Sequence, residues 1–232
     1  GLRSCLAVAA NKIFDFPYVS FNANSDLNAD PSIVGYYIVG MHIFSLARWL
    51  INNTRGKGVR KIHFAARDGY LIKQAYDILS EGLENVPESN YIRVSRKSFA
   101  IADIAGFNDI HSVVQKLNYA SQTPDSIFEL FKPVMSLRAR NEYDKFSNEN
   151  KSLCETRFVD RDQFAAFMND FYRTYLEDAD FASYREAVKN YFGSIFSPDD
   201  VFFDVGYSGR VELVLNKLLG FKIRSFYIHA NN

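Results

Sequence analysis

The stretch from Val201 to Gly220 constrains the fold of this chain more than any other. Val201, Phe202 and Phe203 form an apolar run that ends on a single carboxylate, Asp204. Val205, Gly206, Tyr207, Ser208 and Gly209 follow. Arg210 then opens a segment to Leu219 that is apolar at helical spacing, with Gly220 placed to end it. This order reads as a buried strand, a glycine-bearing turn and an amphipathic helix. Such a turn aims several backbone N–H groups at one point and adds the positive end of a helix dipole, an arrangement suited to a phosphate. Asp204 then stands where a sugar hydroxyl or a metal-bound water would lie, so a phosphorylated sugar is the fitting guest. A plainer reading stands beside it, in which the glycine is there only because the turn needs positive φ.

The same order recurs upstream. Residues 1–30 are Asn-rich and aperiodic, and read as an irregular segment. From Pro31 to Asn53 apolar residues recur at helical spacing (Ile33, Tyr36, Tyr37, Met41, Phe44), which predicts a mostly buried helix. A turn at Arg55–Gly58 follows, then a first parallel strand at Val59–Ala65, a helix at Gly69–Leu79 and a second strand at Tyr91–Ser95. Between 105 and 196 the pattern becomes helical. Thr123 and Pro124 mark one helix start, and Asp160 to Gln163 resembles a capping box for another, carrying Phe164, Phe167, Met168, Phe171 and Tyr175. A further helix is predicted at Ser183–Phe192 and a last strand at Lys222–His229. The expected fold is α/β: a mainly parallel sheet with helices on both faces and a long helical insertion. One domain spans 1–232, with an N-terminal segment and helix at 1–55, an α/β core at 56–104 and 197–232, and the insertion at 105–196.

Charge and composition narrow the function. Lys plus Arg and Asp plus Glu both number 27, so a broad basic footprint for nucleic acid or an anionic membrane is not expected. Two cysteines, Cys5 and Cys154, supply neither a disulfide framework nor metal-ligand spacing, and the four histidines are scattered, so no protein-held metal site is expected. The apolar run Ile33–Ile51 is interrupted by His42, Ser45 and Arg48, so no transmembrane segment is expected. No signal-peptide pattern opens the chain, and the expected compartment is the reducing cytoplasm. A start at Gly1-Leu2-Arg3 without Met reads as a piece of a longer protein.

In open parallel sheets ligands bind beyond the carboxyl ends of the strands. Every chemically unusual loop of this chain is expected at such an end: Ala66-Arg67-Asp68-Gly69-Tyr70 after the first strand, Ser95-Arg96-Lys97-Ser98 after the second, and Asp204 to Arg210 after the third. Cations at two loops, an amide nest at the third and two carboxylates suit a phosphorylated sugar with magnesium. Taken singly, each of these charges also reads as a solvated loop residue.

The third loop resembles the ribose-phosphate loop of type I phosphoribosyltransferases, where a strand leads to two acids and a Thr-Gly-x-Thr turn. Asp204 matches the second acid, Ser208 the first Thr and Gly209 its Gly, with Arg210 at the variable position. Ala66 to Gly69 resembles that family's pyrophosphate loop, and Ser95 to Ser98 falls near where its mobile loop begins. Taken together, ARDGY, VSRKSF and FFDVGYSG are similar to a set of bacterial surface-polysaccharide proteins that often occur beside a haloacid-dehalogenase-type phosphatase. The resemblance covers residues 58–104 and 198–230. It implies transfer of 5-phosphoribose from phosphoribosyl pyrophosphate (PRPP) to a hydroxyl of a glycan acceptor, carried on a lipid, with magnesium (Mg2+) as cofactor. A partner or fused phosphatase of that type would then remove the phosphate and leave ribofuranose.

The residues this implies are Arg67, Asp68 and Asp204 at the reacting centre, with Gly69, Arg96, Lys97, Gly206, Tyr207, Ser208, Gly209 and Arg210 holding substrate. Asp68 carries two readings, a general base or the cap of the helix that opens at Gly69. The acceptor is expected on the insertion, where Phe167, Phe171, Tyr172 and Tyr175 either stack on sugars or form core. Two positions depart from the family. Phe203 replaces the first acid and Val211 the second Thr, which puts a nucleobase substrate in doubt and keeps open a non-catalytic ligand-sensing or docking module. An S-adenosylmethionine methyltransferase fits poorly, because only residues 210–232 follow its would-be opening motif. A phosphatase within this chain fits less, since no Asp-x-Asp follows an early strand.

Overall fold

A computed structural model describes residues 4, 8, 35–104, 117–206 and 209–228, and gives only the backbone of Tyr37 and Arg96. The expected irregular segment at 1–30 and the start of the helical stretch, 105–116, therefore lie outside the described residues, apart from Ser4 and Val8. The fold is α/β. Its sheet has four strands, β1 (Lys61–Ala65), β2 (Glu88–Ile92), β3 (Val201–Asp204) and β4 (Arg224–Tyr227), all parallel in the order β2-β1-β3-β4.

The described chain divides into two compact units. One comprises residues 1–93, 199–207 and 224–232 and holds the sheet; the other comprises 94–198 and 208–223. In the sheet unit, a π-helical turn at Gly35–Val39 runs into α1 (Gly40–Thr54), and α2 (Gly69–Ser80) follows β1. Ala47, Leu50, Ile51 and Thr54 of α1 are buried, a spacing that lays one helical stripe inward. Ala47, Leu50 and Ile51, together with Ile72 and Tyr76 of α2, form one core with Ile62, Phe64, Val201 and Phe203 of the sheet. Phe64 anchors that core, with ring contacts to Tyr76 at 5.6 Å and Phe203 at 5.4 Å. The expected turn after α1 is present: Gly56 and Gly58 both take positive φ, and the Gly56 N–H donates to the Asn85 carbonyl.

β2 lies upstream of its expected place at Tyr91–Ser95. Its residues Glu88, Ser89 and Asn90 are polar and carry no apolar signal, yet they pair in register with Lys61, Ile62 and His63. A strand at the end of the sheet order has one strand neighbour, so it tolerates such a sequence. The Tyr76 hydroxyl donates to the Pro87 carbonyl just before the strand, and burial pushes that phenol up to about 12.

The helical unit contains α3 (Arg96–Ala102), α4 (Pro124–Phe131), α5 (Leu137–Glu149), α6 (Lys151–Glu155), α7 (Arg161–Phe171), α8 (Phe181–Gly193) and α9 (Arg210–Leu219). The side chains predicted as caps in this unit, Thr123 and Asp160, do cap. Thr123 and Ser126 form a reciprocal capping box, and Asp160 accepts from the Gln163 N–H. The Gln163 side chain reaches back to the Val159 N–H rather than to that of the cap residue. Asp180 caps α8 by accepting from the Ser183 N–H, a bond that holds its carboxyl below the usual range. The core is aromatic: Phe128 stacks on Tyr143 at 4.2 Å, and Phe164 and Phe171 are 1% exposed. Burial raises the Tyr143 phenol, whose hydroxyl donates to Asp125.

Candidate functional site

In the sheet unit the register places Phe64 of β1 opposite Phe203 of β3. One residue further, the two adjacent strands end at Ala65 and Asp204, so their following loops leave the same edge of the sheet. The Ala66 N–H still donates to the Ile92 carbonyl at 2.9 Å, which ties the first loop to β2 as well. The Ala66–Arg67 peptide is cis, and Arg67 and Asp68 are exposed.

Asp68 does not cap α2. Its backbone is already helical (φ −69°, ψ −27°) and its side chain accepts no N–H of the helix. An aspartate caps from the extended region, where its carboxylate can swing over the first turn. Gly69 is buried for a packing reason. A Cβ there would lie 3.1 Å from Phe64 Cβ and 3.3 Å from the Phe64 carbonyl carbon. Only glycine lets the start of α2 approach the strand so closely.

Asp204 is half-buried, and its Oδ1 accepts the Gly206 N–H at 3.2 Å, an Asx-type bond that turns the chain as it leaves β3. Tyr207 and Ser208 lie outside the described residues. Phe203 is fully buried against Phe64, so the position of the family's first acid belongs to the core here.

The remaining candidates belong to the helical unit. Arg96 and Lys97 do not sit on a loop: they form the first turn of α3, behind the extended residue Ser95, and Lys97 is exposed. Gly209 is left-handed (φ 60°, ψ 10°), as its place before α9 demands of a residue without Cβ. Its carbonyl accepts the Leu213 N–H at 3.0 Å, and Arg210 opens the helix exposed to solvent. Val211, at the family's second Thr, is buried, and Gly220 ends α9 in the left-handed region as expected. Of the aromatics expected to meet an acceptor, Phe171 is buried in the helical core and Phe167, Tyr172 and Tyr175 pack against it, so they serve as core.

Two features escaped the sequence reading. The first is a polar network centred on the buried pair His63 and Asp200. His63 Nε2 lies 3.0 Å from Asp200 Oδ2, which also accepts from Arg60 Nη2 at 2.8 Å, while Asn90 Nδ2 approaches His63 Nδ1 at 3.2 Å. An amide nitrogen can only donate, so Nδ1 is the acceptor and Nε2 carries the proton. Burial holds the imidazole below its ordinary 6.5 despite the nearby Asp200 carboxylate. Arg60 and Asp200 precede β1 and β3, so the network clamps the strands at their amino ends, away from the candidate loops. The second is the exposure of Tyr70, whose large aromatic side chain is 48% exposed two residues after Asp68.

Among the described residues no group of three or more His, Cys, Asp or Glu side chains could hold a metal ion. Among the described residues no helix is long and apolar enough to cross a membrane. No known family model matches the chain, and no curated protein matches it.

Proposed function

We propose that this chain is a phosphoribosyltransferase-type glycosyltransferase, which moves 5-phosphoribose from PRPP to a glycan hydroxyl in O-antigen or capsule biosynthesis. The observation that carries this reading is the shared edge of β1 and β3, from which Arg67 and Asp68 follow one strand while Asp204 ends the other. Loops at the carboxyl ends of adjacent parallel strands are where α/β sheets bind ligands.

In this reading the amides of Tyr207 to Arg210 hold the 5-phosphate, with the Ser208 hydroxyl as a further donor. Asp204 takes a ribose hydroxyl through the carboxylate oxygen that Gly206 leaves free, and Arg67 binds the pyrophosphate. The acceptor oxygen attacks the anomeric carbon as the bond to pyrophosphate breaks, and Asp68, which no cap bond occupies, takes the hydroxyl proton. Magnesium bound with the substrate supplies charge neutralisation on the leaving group. The acceptor would be a lipid-linked glycan, with a haloacid-dehalogenase-type phosphatase acting next, in the cytoplasm.

Burial of Phe203 favours a second reading, since it removes one ribose contact: a module that binds the phosphosugar without turning it over. Calorimetry with PRPP, with and without magnesium, tests the first. Heat that depends on magnesium is expected. The absence of heat at millimolar PRPP in a folded sample would leave the module reading with some other anion.

A further inference from the structure

We infer that Tyr70 is the platform on which the acceptor sugar stacks, and that this sugar is a neutral pyranose; the assignment of an acceptor rests on the transferase reading above. Tyr70 is the second residue of α2, and its backbone N–H donates to the Arg67 carbonyl at 3.2 Å, which fixes it to the loop that carries Asp68. Helical side chains lean toward the helix N-terminus, which is the end where that loop lies. Its hydroxyl accepts from Gln74 Nε2 at 3.0 Å, one helical turn on. Tyr91 of β2 meets the ring edge-to-face, with centroids 5.6 Å apart and planes at 69°.

These contacts hold the ring without covering it. An edge-to-face contact occupies at most one of the two faces, and nearly half of the residue is exposed. An exposed aromatic held at both its hydroxyl and its ring has lost its rotamer freedom before any ligand arrives, so binding need not supply that cost. The electron-rich face of a phenol ring attracts polarised C–H groups, and a pyranose presents a row of them on one side. Charge decides the class of sugar. Lys73 is the one cation of α2 and is paired with Asp77 at 2.6 Å, while the exposed Arg67 of the adjacent loop is committed to the pyrophosphate in the transferase reading, so neither is left for an acidic sugar.

Saturation-transfer NMR with methyl glucoside, methyl galactoside and methyl glucuronide tests the inference on the intact chain, with calorimetry on PRPP and magnesium run alongside. Transfer to the ring C–H protons of at least one neutral pyranoside is expected, and weaker transfer to the glucuronide. Tyr70→Ala should weaken that binding about 3- to 10-fold, while Tyr70→Phe, which keeps the ring, should stay near the parent. Donor heat should be the same in all three proteins. Equal pyranoside binding by parent and Tyr70→Ala, silence from both neutral sugars, or preference for the glucuronide would each overturn the assignment. Loss of donor heat in the parent would refute the transferase reading instead, and the pyranoside measurement would still decide whether Tyr70 binds sugar.

Discussion

Gly69→Ala is a direct test of how the candidate loop is anchored. The added Cβ would sit 3.1 Å from Phe64 Cβ, 3.3 Å from its carbonyl carbon and 3.5 Å from its Cα. None of these atoms can swing aside. Phe64 is fully buried, lies in β1 between β2 and β3, and is held by rings of Tyr76 and Phe203. The start of α2 must therefore move out by a few tenths of an ångström. Overpacking of this kind costs about 1–3 kcal/mol. Against it stands the better helix propensity of alanine, about 1 kcal/mol at most for a residue in the first turn. The net loss is about 1–2 kcal/mol, which lowers a urea midpoint by about 0.5–1 M at an m-value of about 2 kcal/mol/M. Trp49, the only tryptophan of the chain, belongs to the sheet unit and contacts Phe226 at 5.1 Å, so its fluorescence reports the unfolding of that unit. Gly206→Ala is the control. The nearest atoms its Cβ would meet among the described residues are those of the Asp204 carboxylate, at an ordinary 3.7 Å, and its stability should stay within about 0.5 kcal/mol of the parent. A Gly69→Ala midpoint equal to or above that of the parent would refute the close-packing account of this glycine.

Two further outcomes follow from the same geometry. Asp68→Asn should leave the urea midpoint unchanged, because the carboxylate makes no cap bond, yet slow ribosyl transfer about 10²- to 10⁴-fold with donor binding intact; pyrophosphate release checks both the rate and, if it survives, the failure of the base assignment. The His63 ring should titrate below 6.5 by NMR, since burial disfavours its charged form. Above pH 6.5 both folded and unfolded states hold the ring neutral, and its contribution to stability is constant. As pH falls from 6.5 toward the depressed folded value, the unfolded chain takes the proton first and stability drops. A ring midpoint at or above 6.5 would contradict the buried neutral tautomer.

Periodicity and caps made much of this protein legible from its residues. The apolar run Val201–Phe203 ending at Asp204, the stripe of α2 and the caps at Thr123 and Asp160 are local signals, and each element formed where its own residues specify it. The loops after the first and third strands were read as lying at carboxyl ends of a parallel sheet, and β1 and β3 do pair in parallel. Tertiary contacts decided the rest. β2 forms from polar residues because β1 supplies a ladder for its backbone, which no side-chain pattern announces. Asp68 looked equally like a base or a cap in sequence, and only its helical backbone angles withdrew the second role. The bond between His63 and Asp200 joins residues 137 positions apart, and Gly69 is needed because of an atom five residues back on a facing strand. Spacing along a chain encodes which face a residue presents, but not which distant group that face will meet once the strands pair.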